Sequence, residues 1–423
     1  MTSAIFPETP QWETDGTHRI PFAVYTDEQV YKQELERIFY KGHWNYIGLE
    51  AEVPEPGDFK RTVVGERSVV MTRANDGSLH VWENVCAHRG MRFVRERFGK
   101  KKNFTCAYHQ WSYSPKGDLQ GAAFRRGVRQ PDGTMHGGLP EDFDNAANGL
   151  TKLKVATRGG VVFASFDHDV ESFEDYLGPT ILGYFDRMFN GRKLKILGYN
   201  RQRIPGNWKL MQENIKDPYH PGLLHTWFVT FGLWRADNKS ELKMDAKHRH
   251  AAMISTRGTG GKAEQVTGVS SFKESMKLED PSFLDIVQEP WWEGPTAVMT
   301  TIFPSVILQQ QVNSVSTRHI QPDGHGHFDF VWTHFTYEDD DEEMVQRRLR
   351  QSNLFGPAGF VSADDGEVIE FSQEGFESKP YHRVLAELGG RDVEEHTGHM
   401  VTETLIRGMY RYWREVMEKD EEK

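Results

Sequence analysis

Cysteine is almost missing from this chain of 423 residues, which holds two, Cys86 and Cys106. That excludes a disulfide-stapled scaffold, and a reducing cytoplasm disfavours even one bridge between the pair. Long apolar runs are missing as well. No stretch approaches the ~18–20 residues that a membrane-spanning helix needs. The opening MTSAIFPETPQWETDG lacks a positively charged start ahead of an apolar core, so it does not read as a secretory signal. Basic charge is in deficit, with a net charge of −11 and a pI near 5.9. That balance argues against nucleic acid as a partner, because phosphate binding needs clustered Lys and Arg. Nor is there a glycine-rich dinucleotide fingerprint. These absences predict a cytoplasmic protein that docks selected partners, with neither membrane nor nucleic acid among them.

What is present begins with enough apolar material, 37% hydrophobic and 12% aromatic, for two or three domains or a small one beside a large one. Thr26 with Gln29 makes a capping box for a helix over 26–39. From about Asn45 to Phe166 the pattern becomes short strands and turns. SVVMTRA and LHVWENV flank Asn75-Asp76-Gly77-Ser78, a strong hairpin signal. Ser114-Pro115-Lys116-Gly117 is another turn, and GGVVFASF closes the region. The remainder mixes helices over 172–188, 207–217, 340–355 and 401–417 with long strands over 296–303, 305–320 and 327–337. Strands and helices without strict βαβ alternation predict an α+β chain. The expected layout is an N-terminal helical segment (1–44), a small all-β domain (45–166), and a larger domain (167–423). In the last, helices cover an antiparallel sheet, and the first segment packs against it.

Each cysteine has a histidine close behind it: Cys86-Ala-His88 and Cys106-Ala-Tyr-His109. Cys₂His₂ is a common structural zinc set, but zinc fingers usually group both cysteines ahead of both histidines. Here each segment supplies one of each. That interleaving suits a two-iron cluster in which thiolates take one iron and imidazoles the other. Cys86-x-His88-Arg89-Gly90 and Cys106-x-x-His109-x-Trp111 resemble the Rieske motif of aromatic-ring-hydroxylating oxygenases, in their large (alpha) subunit. One departure is Gln110, where many members carry glycine.

A Rieske centre alone moves electrons. Oxygen chemistry needs a second iron with open positions, commonly held by two histidines and one carboxylate. His220 and His225 lie in Asp217-Pro-Tyr-His220-Pro-Gly-Leu-Leu-His225. A spacing of five puts them ~140° apart on an unbroken helix, and Pro218, Pro221 and Gly222 break it there. Taken alone, two such histidines are more often structural or exposed. The segment resembles the family's Asp-x-Tyr-His-x₄-His signature, and the resemblance makes His220 and His225 iron ligands. It also makes Asp217 the bridge to a Rieske histidine, by analogy His109, of a neighbouring subunit. For the third ligand, Ser362 is expected to cap a helix from Ala363. Asp364 and Asp365 then point ~100° apart, and chemistry alone does not separate them. The family pattern selects Asp365.

The resemblance further implies a [2Fe-2S] Rieske cluster, a mononuclear Fe(II), and O₂ as co-substrate. It implies NADH used indirectly through a ferredoxin and ferredoxin reductase, a small beta subunit, and a homotrimeric core of large subunits (α₃β₃). Segments such as PGDFKRTVVGERSVVM and FGPAGFVSADDGEVIE resemble the salicylate 5-hydroxylase branch, which implies monohydroxylation of salicylate to gentisate. The alternative is ring dioxygenation of another benzoate-type acid (anthranilate, terephthalate) or of a neutral polycyclic arene. An aromatic acid calls for a donor near the iron, and arginine offers a bidentate fork. Arg318 and Arg407 are the candidates, each weighed against a packing role. In the odd run Gln309–Gln311, alternate residues share a face, so either Gln309 and Gln311 or Gln310 line the pocket.

Overall fold

Hairpin chemistry organises the first half of the chain. A computed structural model describes residues 10–235, 237–258 and 277–418, and these divide into two compact units. One is 40–170; the other joins 1–39 to 171–423, whereas the sequence suggested breaks at 44/45 and 166/167. In the first unit, Arg67–Arg73 and Leu79–Glu83 pair antiparallel across Asn75–Ser78, and Gly77 takes the positive φ of 81° that the turn requires. The four-stranded sheet adds Asp58–Val64 and, at its edge, Phe98–Lys100. Gly117 N–H donates to Ser114 O (2.9 Å) and closes the expected second turn. A core of Phe59, Trp82, Phe93, Phe104 and Tyr113 fills the unit and includes both cysteines.

The second unit is built on an eight-stranded sheet. Its strands are β1 (Leu194–Pro205), β2 (Lys239–Met244), β3 (Ala251–Thr256), β4 (Ala297–Ile302), β5 (Val306–Gln311), β6 (Ser314–Pro322), β7 (His327–Tyr337) and β8 (His396–Thr397). Every neighbour in the order β1-β7-β6-β5-β4-β3-β2-β8 is antiparallel. Helices α1 (Phe173–Met188), α2 (Trp208–Asn214), α3 (Pro221–Leu224), α4 (Glu342–Phe355), α5 (Phe360–Ser378) and α6 (Thr404–Met417) accompany it. The fold is α+β, and no helix among the described residues is long and apolar enough to cross a membrane.

Three local expectations need correction. The stretch 305–320 is two strands, because Val312 adopts φ 51° and turns the chain between β5 and β6 without any glycine. The first helix is capped by Asp27, whose carboxylate accepts from Gln29 N and Val30 N, while the Thr26 hydroxyl donates back to Phe22 O. Ser362 lies inside α5, which begins after Gly359, and its hydroxyl donates to Gln202 Oε1 at 2.9 Å. That contact pins α5 to β1.

The N-terminal segment is tied to the sheet unit by a buried carboxylate. Glu34 receives Lys209 Nζ (2.6 Å), Trp208 Nε1 (2.9 Å) and Trp413 Nε1 (2.7 Å). A charge so fully buried is stable only because donors surround it. The arrangement locks α2, and with it the start of the histidine-bearing segment.

Candidate metal centres

Two loops of the small unit repeat one geometry. Cys86 N–H donates to Met91 O and Gly90 N–H to Cys86 O; Cys106 N–H donates to Trp111 O and Gln110 N–H to Cys106 O. The repeat explains the odd glutamine: Gly90 has φ 69° and Gln110 φ 58°, so Gln110 occupies the left-handed position that glycine fills without strain. Both cysteines are buried, whereas His88 is exposed and His109 partly so. The imidazole centroids lie 4.6 Å apart, and His88 stacks on Trp111 at 4.7 Å. Tyr113 Oη sits 3.2 Å from Cys86 Sγ and accepts from Ala87 N (3.1 Å). Burial pushes the Cys106 thiol up, while backbone N–H groups of Tyr108 and His109 favour its thiolate. Thiolates inside and imidazoles at the rim fit an Fe–S cluster with mixed ligation.

The second site forms where α2 ends. Asn207 caps α2 through Lys209 N, and Asn214 closes it. One turn later Asp217 Oδ1 accepts from the backbone of Tyr219 (3.1 Å) and His220 (3.2 Å). His220 and His225 then bracket the four residues of α3, with Pro221 at its first position. Gly222 lets this turn sit close to Trp234; a Cβ there would stand 2.7 Å from the indole. The break that the prolines suggested brings the ring centroids to 5.3 Å. Asp365 reaches between them from α5, with Oδ1 3.6 Å from His220 Nε2 and 3.3 Å from His225 Nε2. The three ligand atoms lie within 4.8 Å of one another. Asn214 Nδ2 donates to Asp365 Oδ1 at 3.1 Å.

Electrostatics match the geometry. Burial opposes a charged His220 ring, yet Asp217 and Asp365 push its pKa up to about 9. Asp365 is held well below the usual carboxylate range: burial works against its charge, and the two histidines outweigh it. Two imidazoles and one carboxylate fit an iron with open positions.

A cavity opens beside this triad and includes Gln309, Gln311 and Arg318 in its lining. Register explains why. Met253 pairs with Met299 and Met299 with Gln309, and Arg318 pairs with Trp332. All therefore project from one face of the sheet. Gln310 points the other way, its amide donating to Thr296 O and Val312 O. Gln309 Nε2 donates to Gln311 Oε1 at 2.6 Å.

Arg318 is buried at 4% exposure, with no carboxylate in salt-bridge contact among the described residues. Its guanidinium lies over Trp332 at 4.6 Å, and its Nε has no hydrogen-bond partner. Burial brings its pKa down to about 9, with Asp365 partly offsetting the drop, so it remains charged at neutral pH. Arg407 is not among the residues lining this cavity. Its Nε and Nη1 donate to the carbonyls of Asp392, Ala386 and Leu388, which anchors α6, while Nη2 has no hydrogen-bond partner. Sequence reasoning missed Met253, Met299 and Trp332, whose facing depends on a register that no local signal carries.

Residues 43–131 match the Rieske [2Fe-2S] domain family, and residues 191–419 match the catalytic domain of ring-hydroxylating alpha subunits. The chain belongs to the ring-hydroxylating oxygenase alpha-subunit family, and it is an oxidoreductase. Its two domains imply a Rieske cluster and a mononuclear iron, and a terminal oxygenase component of this kind works with electron-transfer partners. The chain is 75% identical over 414 residues to the large oxygenase component of salicylate 5-hydroxylase from Ralstonia sp, covering 98% of this chain and 97% of the relative. It is 40% identical to the anthranilate 1,2-dioxygenase large subunit of Burkholderia cepacia, over 94% of this chain and 92% of that one. Among solved structures, naphthalene 1,2-dioxygenase with indole bound superposes with a TM-score of 0.77 at 22% identity. It covers 96% of this chain and 94% of that one, a likeness of fold.

Proposed function

We propose that the protein is the terminal oxygenase of an aromatic-acid hydroxylase that converts salicylate to gentisate. The balanced reaction consumes salicylate, O₂, NADH and a proton, and yields gentisate, water and NAD⁺. The observation that carries the aromatic-acid reading is Arg318, a buried guanidinium with no carboxylate in salt-bridge contact among the described residues, in the cavity beside Asp365. Leaving a cation so buried is costly unless an anion completes it, and a substrate carboxylate does so bidentately. The 75% identical relative supports salicylate in particular. A neutral polycyclic arene would leave Arg318 uncompensated, so that alternative is disfavoured; another benzoate-type acid is the nearer rival.

In this reading Cys86, His88, Cys106 and His109 hold the cluster, and His220, His225 and Asp365 hold the mononuclear iron. When bound, the iron supplies the O₂ chemistry and the cluster supplies single electrons. The residues do the rest. Arg318 anchors the carboxylate, Gln309 and Gln311 offer amide groups to the ring substituents, and Met253, Met299 and Trp332 exclude water. Asp217 braces the His220 backbone through Oδ1 and takes a hydrogen bond from His109 of a neighbouring copy, so that electron and proton movement are coupled.

Residues 45–166 then form the electron-input domain, 167–423 the catalytic domain, and 1–44 its N-terminal support. NADH is used through a separate ferredoxin reductase and ferredoxin, in the cytoplasm, by an α₃β₃ assembly. The test supplies salicylate to the protein with electron-donor partners. Gentisate is expected; finding only a dihydrodiol from some other arene would sink the substrate assignment.

A further inference from the structure

Adjacent residues on a helix point ~100° apart, and α5 uses that angle to place two neighbouring carboxylates around one imidazole. Asp365 faces the Nε2 side of His225 at 3.3 Å. Asp364 lies behind the same ring, with Oδ2 3.1 Å from Nδ1. The arrangement mirrors His220, whose Nε2 faces Asp365 at 3.6 Å while its Nδ1 faces Asp217 Oδ2 at 3.6 Å. Each histidine thus presents Nε2 to the shared carboxylate and turns Nδ1 to a carboxylate of its own. Of the two rear contacts, the one to Asp364 is within hydrogen-bond distance, whereas 3.6 Å is too long.

We propose that Asp364 is a positioning residue for the mononuclear iron: it accepts the Nδ1–H of His225 and so fixes the tautomer that leaves Nε2 free to bind metal. This rests on reading His220, His225 and Asp365 as the iron ligands. His225 is 2% exposed, whereas the Asp364 side chain is 37% exposed, so the contact joins a buried ring to the edge of α5. Asp364 is not a fourth ligand, because its contact is to the nitrogen on the far side and it stands outside the triad whose ligand atoms cluster. A carboxylate behind a metal-bound histidine fixes the ring's orientation and raises its basicity. Its loss typically weakens metal binding 10–100-fold.

The test uses full-length protein carrying its cluster, stripped of mononuclear iron and titrated anaerobically with Fe(II), then with Co(II) as a spectroscopic probe. Asp364→Ala is expected to weaken binding 10–100-fold and to shift the Co(II) d–d bands. Asp364→Asn keeps an acceptor oxygen and is expected to recover most of the affinity. An unchanged visible spectrum of the cluster controls for folding, and Asn serves if Ala is poorly folded. Fe(II) affinity within twofold of wild type in a folded Ala variant would overturn the role, as would equal losses in Ala and Asn. Asp365→Ala separates the two levels of the argument. If it binds Fe(II) normally, the ligand assignment fails; if it loses Fe(II) while Asp364→Ala does not, only the proposal for Asp364 fails.

Discussion

Replacing Arg318 with methionine separates substrate recognition from folding. The guanidinium is 4% exposed, touches Met299 Sδ through Nη2 at 3.2 Å, and leaves Nε unpaired. Among the described residues no carboxylate is in salt-bridge contact with it, and Asp365 offsets its burial only in part, so that burial costs stability in the free enzyme. Methionine fills similar space beside Trp332 and Met299 without that cost. Arg318→Met is therefore expected to leave the melting temperature unchanged or raise it. Substrate binding responds in the opposite direction. Removing one partner of a buried, hydrogen-bonded charge pair costs about 2–5 kcal/mol, or roughly 30-fold to several-thousand-fold in affinity at ~1.4 kcal/mol per decade. The assay pairs salicylate titration of the resting enzyme with steady-state kinetics, and repeats both with the neutral amide of the same ring. Discrimination between acid and amide should collapse in the variant. A salicylate affinity within threefold of wild type, or a fall in melting temperature with affinity kept, would refute the reasoning.

Other outcomes follow from single contacts. Tyr113→Phe removes the hydroxyl 3.2 Å from Cys86 Sγ and is expected to lower the cluster's reduction potential. Losing about 1 kcal/mol of a hydrogen bond is about 40 mV for one electron, readable by voltammetry; an unchanged potential contradicts it. Asp217→Ala should retain both metals, counted by iron analysis, while slowing electron transfer between them; normal coupled turnover would rule the bridge out. His334 is buried, its Nε2 paired with Asn200 Oδ1 at 2.8 Å, and burial, aided by Arg318, lowers its pKa to about 4. A depressed folded pKa contributes stability that is complete above the unfolded value near 6.5 and is lost as pH falls through 4. His334→Gln should therefore flatten the acid side of a melting-temperature profile between pH 6.5 and 4, and an unaltered slope would contradict it.

Local chemistry made some of this structure readable in advance. Asn75–Ser78 demanded a hairpin because Gly77 supplies the positive φ. The interleaved Cys and His pairs stood on loops because glycine-type turns follow each cysteine. Pro221 and Gly222 broke the helix where His220 and His225 had to converge. The failures come from competition, between sequence neighbours as well as across the fold. Val312 turns a chain with no turn signal because strands β5 and β6 pair on both sides of it. Thr26 loses the cap to Asp27, whose longer acceptor reaches two backbone N–H groups. Arg407 was an equal candidate to Arg318 in sequence, and only the fold gives one a set of carbonyls and the other an empty cavity. Chemistry alone did not separate Asp364 from Asp365; the family pattern selected Asp365, and α5 sets the angle that brings it to both histidines.

One oxygen atom from O₂ is expected to enter salicylate at the site framed by His220, His225 and Asp365. A single turnover under ¹⁸O₂, with the cluster reduced and Fe(II) bound, measures it directly. Gentisate carrying one ¹⁸O is expected. Unlabelled gentisate, or a diol carrying two labels, would contradict it.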